Sequence, residues 1–243
     1  MKIYVEKSFL DKNIQNISNN FNLDITHAIP LSKYYFIYDK NGLSFIRDSK
    51  NPKETLNINF LKGKLGWRLR RVNHETKLKK ALGKAKAPLN IFDATAGLLS
   101  DSMIFLSLGH NVVAVEQSKI IYLLLEDAIR RAKDSMPFLS NIKLINGNSI
   151  DVIKQIDTLF DVIYLDPMYP TPKHNIKKSG ELSAIRSILE IENLSNDEDS
   201  MINDFMHLDY KKIILKRPLK SKKIYSNINY QVKGRTTRFD IYL

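Results

Sequence analysis

From about Leu89 onward the chain alternates short apolar runs with amphipathic stretches. Leu89–Asp93, Asn111–Glu116, Lys143–Asn146, Phe160–Asp166 and Lys212–Leu215 read as strands. Asp101–Leu108, Ser118–Lys133, Ile150–Ile156 and Ser179–Glu190 read as the intervening helices. Gly109 supplies a C-cap to the first helix, and Ser118 an N-cap to the second, which halts before Pro137. Alternating β and α predicts a doubly wound, mostly parallel sheet. The tail carries two further β runs, Ile228–Val232 and Phe239–Leu243, with no helix between them. These predict a terminal hairpin and bring the sheet to seven strands.

The first 60 residues have a different texture. Tyr34–Tyr38 and Leu43–Ile46 flank Asp39-Lys40-Asn41-Gly42, and Asn-Gly between β-formers is a strong hairpin signal. Asn51-Pro52 breaks the pattern. Residues 1–60 therefore read as a small β-rich subdomain, 61–88 as a basic linker and helix, and 89–243 as the catalytic domain. Asn73 is positioned to cap a helix running to about Lys86, with Leu78, Ala81 and Leu82 on one face.

Charge changes this picture. The formal net charge is +12. An AT-rich coding bias toward Lys would spread it evenly. Instead Lys62–Lys86 holds ten Lys and Arg against one acid, Glu75, and a second cluster lies at Lys211–Lys223. Such concentration points to a polyanion, with Arg70 and Arg71 as candidate contacts. There is no cysteine, which removes disulfides and thiolate metal sites. The five histidines are scattered without ligand spacing, so no metal is expected. No signal-like or membrane-spanning stretch is visible, and a cytoplasmic location is the expectation.

Candidate chemistry sits at strand ends. The first strand closes in Asp93-Ala94-Thr95-Ala96-Gly97-Leu98. Small residues there allow close approach of backbone to a ligand. The dinucleotide fingerprint G-x-G-x-x-G is absent, which argues against nicotinamide or flavin. S-adenosylmethionine has no pyrophosphate to cradle, and its cationic groups favour nearby acids such as Asp93 or Asp101. Glu116 ends the second strand, nineteen residues past Gly97, where an acid accepts the ribose hydroxyls of a nucleoside. Gly147-Asn148-Ser149 follows the third strand, in reach of an adenine edge.

The sharpest signal is Asp166-Pro167-Met168-Tyr169-Pro170 after the apolar run Val162–Leu165. Exocyclic amines of bases are weak nucleophiles, because their lone pair is delocalised into the ring. Methylating them requires orientation more than a strong base. The Asp166 carboxylate and carbonyls beside Pro167 and Pro170 accept amine hydrogens, and Tyr169 offers a ring for stacking on an extruded base. Lys216 and Arg217 end the next strand and are candidates for phosphate contact.

Taken together, DATAGL at 93–98, Asp101, Val115-Glu116, YLDPMYP at 164–170, KRP at 216–218 and RFDIY at 238–242 resemble the ribosomal RNA small subunit methyltransferase J family. The resemblance runs from about Lys62 to the C-terminus. It implies a Rossmann-like class I S-adenosylmethionine-dependent methyltransferase acting on the exocyclic N2 of one guanine near the 3′ end of 16S rRNA. It places cofactor contacts on Ser100, Asp101, Glu116, Gln117, Asn148, Ser149 and Asp166. This chain departs from the family pattern at Leu99-Ser100, where Gly-Arg is common, and at Gln117 and Asn148. Chemistry alone leaves two other readings open. One is an N6-adenine methyltransferase on DNA or RNA. The other is a non-catalytic RNA-binding protein that keeps the fold.

Overall fold

The computed structural model describes residues 1–51, 54–168, 180–194 and 197–243. The N-terminal part runs β1 (Lys2–Val5), α1 (Lys12–Phe21), β2 (Asp24–Thr26), β3 (Tyr35–Asp39), β4 (Gly42–Ile46) and β5 (Thr55–Asn57). The basic stretch forms α2 (Gly63–Arg70) and α3 (Thr76–Leu82). Then come β6 (Asn90–Asp93), α4 (Ser102–Ser107), β7 (Asn111–Glu116), α5 (Lys119–Ala132), β8 (Ile142–Asn146), α6 (Ser149–Gln155) and β9 (Val162–Leu165). The chain closes with α7 (Gly180–Ile191), α8 (Glu198–Met206), β10 (Ile213–Pro218), β11 (Tyr230–Lys233) and β12 (Thr237–Tyr242). Two units result: one takes in Met1–Leu61, Ser118–Ser135 and α7, and the other holds the rest.

The first unit is built on a five-stranded sheet in the order β2-β1-β3-β4-β5. The expected hairpin is there, but its turn differs from the Asn-Gly form. Asp39 pairs directly with Gly42, and of the turn residues only Gly42 has positive φ, at 84°. The Asp39 carboxylate accepts the Asn41 N–H at 2.7 Å, which stabilises the turn locally. The sequence reading missed α1. Its N-cap is Asp11, whose side chain accepts from Ile14 N, and its C-cap is the left-handed Asn22. Ile14 is its one fully buried residue, so the apolar signal is thin.

α5 packs against β4 in this same unit. It carries Asp127, a fully buried carboxylate that accepts from Arg130 Nη2 at 2.7 Å, Arg131 Nε at 2.7 Å and Leu43 N at 2.8 Å. A buried charge persists only when so paired. Gly42 leaves room for this cluster: a Cβ there would lie 2.3 Å from Arg131 Nε and 2.4 Å from Asp127 Oδ2. The start of α5 is tied as well. Ser118 accepts from Ile121 N and donates to Glu192, which also accepts from Ile120 N at 3.1 Å.

The second unit is a seven-stranded sheet in the order β11-β12-β10-β9-β6-β7-β8. β12 runs antiparallel to both its neighbours, β10 and β11, and the remaining neighbouring pairs are parallel. β6 pairs with both β7 and β9, so the strand order reverses there and the carboxyl ends of β6 and β9 lie side by side. Its core joins Phe92, Phe160, Ile163, Leu165, Ile213, Leu215 and Tyr242 to Ile202 and Phe205 of α8. The sequence reading missed α8, although Asp197 caps it and Glu198 and Asp199 fill its first turn. It also placed one helix from Asn73 to Lys86. Instead Val72–His74 forms a 3-10 turn, α3 begins at Thr76, and Gly83 at φ 85° stops it. Leu78, Ala81 and Leu82 are its buried face, as the pattern required. Among the described residues no helix is long and apolar enough to cross a membrane.

Replacing Gly42 with Ala forces a left-handed backbone onto a Cβ and displaces the Asp127–Arg131 pair. Urea unfolding should show a loss of about 3 kcal/mol or more. A change below roughly 1 kcal/mol would mean that the hairpin and α5 adjust freely.

Candidate active site

The loop after β6 is organised by its own acid. Asp93 is buried; its Oδ1 accepts from Thr95 N at 3.0 Å and its Oδ2 from Ser102 Oγ at 2.5 Å. Thr95 Oγ1 in turn accepts the backbone N–H of Asp166 at 2.7 Å, which joins the β6 loop to the β9 loop. Gly97, at φ 51°, donates its N–H to Glu116 Oε2 at 2.9 Å, which joins the β6 loop to the end of β7. Glu116 is itself largely buried. Leu99 also has positive φ, 58°, with its side chain fully buried. The backbone cost of about 1–2 kcal/mol is offset by that burial.

Behind these loops lies a buried ionic cluster. Asp101 Oδ1 accepts from Arg68 Nη2 at 2.9 Å. Asp101 Oδ2 accepts from Tyr164 OH at 2.6 Å and Lys216 Nζ at 2.7 Å. Lys216 Nζ also donates to Asp166 Oδ2 at 2.7 Å and so bridges the two carboxylates. Arg68 further binds Glu75 Oε1 at 2.7 Å and the Ser100 carbonyl at 3.3 Å. Burial raises the pKa of Asp101, but the Lys216 ammonium and the Arg68 guanidinium more than reverse this and hold the carboxyl far below its usual range. Burial pushes Asp166 up while Lys216 pulls it back, and the net direction is upward. Burial and the neighbouring acids keep the Tyr164 hydroxyl protonated, as a donor.

The expected site residues thus fall into groups. Asp93, Asp101 and Asp166 are joined through one hydrogen-bonded network by way of Thr95 and Lys216, and Gly97 and Glu116 are bonded to each other. Pro167 follows Asp166 and is buried; Tyr169 and Pro170 lie outside the described residues. Ser100 and Gln117 are exposed beside the network, and Gln117 lends its carbonyl to Asn146 Nδ2 at 3.3 Å. Asn148 commits its side-chain oxygen to Ile150 N and Asp151 N at the start of α6, and Ser149 is buried just after it. Of the four residues expected to meet phosphate, Arg70 and Arg71 are exposed, Lys216 lies between two carboxylates, and Arg217 is buried.

Sequence reading did not single out Arg68, Thr95 or Tyr164, which connect the acids. Arg68 is one of ten basic residues in its stretch, and nothing local marks the one that turns inward. The RFDIY segment also acquires a reason. Arg238, buried, binds Asp240 through Nε at 2.9 Å and the Pro218, Leu219 and Ser221 carbonyls through Nη1 at 3.0, 2.9 and 2.8 Å. It fixes the loop that leaves β10, just beyond Lys216. Among the described residues no group of three or more His, Cys, Asp or Glu is arranged to hold a metal ion.

A sheet of this order, with acids at the ends of β6, β7 and β9, defines an S-adenosylmethionine-dependent methyltransferase. The family described as "Putative SAM-dependent methyltransferase" matches residues 16–243. A crystal structure of a SAM-dependent methyltransferase from Neisseria gonorrhoeae shares the fold, with a TM-score of 0.69 at 24% identity, over 100% of this chain and 96% of that one. Curated relatives carry a narrower name. Ribosomal RNA small subunit methyltransferase J of Desulfotalea psychrophila is 32% identical over 217 residues, 85% of this chain and 82% of the relative. That of Thioalkalivibrio sulfidiphilus is 28% identical over 244 residues, 96% and 94% of the two chains. The chain belongs to the ribosomal RNA small subunit methyltransferase J family.

The residues present fit a nucleoside cofactor: an acid, Glu116, closes β7, and a Cβ at Gly97 would meet only the Thr95 carbonyl, 3.8 Å away, so this part of the loop is open to close approach.

Burial pushes the Asp93 carboxyl up to about 6, against the lowering effect of Ser102 and Thr95. A raised acid stabilises the fold fully only below its unfolded value, here near 3.8, and loses that contribution as pH rises through about 6. Relative to Asp93→Asn, the wild type should therefore lose on the order of 3 kcal/mol of unfolding free energy between pH 4 and pH 7. Parallel stability curves for the two proteins would show that Asp93 is not desolvated in this way.

Proposed function

We propose that this protein transfers a methyl group from S-adenosylmethionine to the exocyclic N2 of a guanine near the 3′ end of 16S rRNA, in the free RNA or the small ribosomal subunit. The observation that carries the reading is Asp166. It stands at the carboxyl end of β9, fixed from behind by Lys216 and through its backbone by Thr95, and its side chain is one third exposed.

The cofactor, when bound, supplies an electrophilic methyl group on a cationic sulfonium. Glu116 and Gln117 would hold its ribose, Asn148 and Ser149 its adenine side, and Gly97 with Ser100 its amino-acid end. Asp93 and Asp101 have their oxygens engaged within the protein, so we assign them to shaping the loop and giving it negative charge. Asp166 accepts the amine hydrogens of guanine N2, with help from the carbonyl that precedes Pro167. This aims the nitrogen lone pair, and orientation is the main need of so weak a nucleophile. Burial keeps Asp166 basic enough to take the departing proton, while Lys216 keeps it ionised beforehand. Tyr169 would stack on the extruded base. Arg70 and Arg71 would meet phosphates. Lys216 donates to the reacting carboxylate, and we assign it to holding that group; Arg217 is buried and donates to Ser221 Oγ. Family names of the relatives support small-subunit rRNA as substrate, and the basic Lys62–Lys86 stretch supports RNA independently.

Labelled methyl transfer onto small-subunit RNA from a strain that lacks the enzyme tests the proposal. The wild type should modify the RNA. Asp166→Ala should lose at least 100-fold in kcat while RNA affinity stays within about twofold. Equal loss of both would make Asp166 a folding residue, and N6-methyladenosine as product would move the acceptor to adenine. Charge reversal at Arg70 and Arg71 should weaken RNA binding and flatten its salt dependence. An unchanged salt slope would place the footprint elsewhere.

A further inference from the structure

The chain has a single tryptophan, and it is not in a core. Trp67 lies on α2 and is 53% exposed. A residue of this type is normally mostly covered, so its display on an amphipathic helix calls for a partner. The Arg71 guanidinium lies 4.8 Å from the centre of its ring, one helical turn on. Lys64 and Arg70 lie three positions before and after Trp67, and both are exposed. An aromatic ring thus sits among three cations on one side of the helix.

The same helix is fixed from its other side. Arg68, the neighbour of Trp67, points inward and binds Glu75, Asp101 and the Ser100 carbonyl. Asp101 connects through Lys216 to Asp166. The Trp67 ring is therefore carried on a short helix whose inward arginine is locked to the acids of the active site. Such an arrangement holds a docked group at a set distance from the reacting carboxylate.

We propose that Trp67 is a stacking platform for an unpaired RNA base next to the target nucleotide, with Lys64, Arg70 and Arg71 on the flanking phosphates. This rests on the RNA-substrate reading given above. Charge selects the occupant: an anionic partner is required by ten Lys and Arg against one acid in Lys62–Lys86. A flat exposed indole among cations suits a partner with both phosphates and flat bases, and stacking accepts any base. A double-stranded partner does not fit, because its bases are already stacked.

Because Trp67 is the only tryptophan, its fluorescence reports on this position alone. The full chain is titrated with a short unstructured oligoribonucleotide, with the paired duplex of the same sequence, and with heparin, which carries charge but no bases. The expected result is strong quenching by the single strand and little by the other two. Trp67→Ala should raise KM for the rRNA substrate about tenfold, with kcat and cofactor affinity unchanged, and Trp67→Phe should recover most of the loss. An oligonucleotide that binds without altering the emission, or an unchanged KM in Trp67→Ala, would overturn the platform and leave the methyltransferase reading intact. Quenching by the single strand in a protein that transfers no methyl group to rRNA would support the platform and remove the rRNA reading instead.

Discussion

The candidate active site depends on one buried carboxylate, Asp101. Removing such a group from water costs several kcal/mol unless partners replace the lost hydration. Here the partners are Arg68 from α2, Tyr164 from β9 and Lys216 from β10. These lie 33, 63 and 115 positions from Asp101 along the chain. The cluster therefore exists only when the sheet has assembled in the right order and α2 has joined it. Lys216 passes the constraint on to Asp166, and Thr95 holds the same residue by its backbone. Placement of the Asp166 carboxylate is thus a property of the assembled fold, not of the Asp-Pro loop alone.

The basic stretch serves two purposes that its composition does not separate. Arg68 turns inward and stabilises the site. Trp67, Arg70 and Arg71 turn outward and meet solvent. A helix of eight residues can divide its work in this way because neighbours on a helix point in different directions. The inward contacts fix the position of the outward ones.

Much of the second unit was legible in the sequence. Buried parallel strands appear as short apolar runs; β6 and β7 end in the acids that the pattern marked, and Asp166 directly follows β9. The segment after β9 stands out in the sequence because an acid, two prolines and a tyrosine follow such a run. What could not be read was pairing at a distance. No local pattern tells that Lys216 is spent on two carboxylates. The helices α1, α2 and α8 were missed for a related reason: each buries only one or two residues, so the apolar signal is thin, and tertiary contact supplies what the periodicity lacks. Leu99 was marked as a departure from a common glycine, and the structure shows why glycine suits that place, since its φ is positive.

The central proposal is that Asp166, which directly follows β9, orients guanine N2 of small-subunit rRNA for methylation. Mass spectrometry of nucleosides from 16S rRNA tests it most directly, comparing a strain that lacks this gene with one that carries it. The account predicts loss of N2-methylguanosine from a single site near the 3′ end, restored by the wild-type gene. An unchanged N2-methylguanosine content would contradict it.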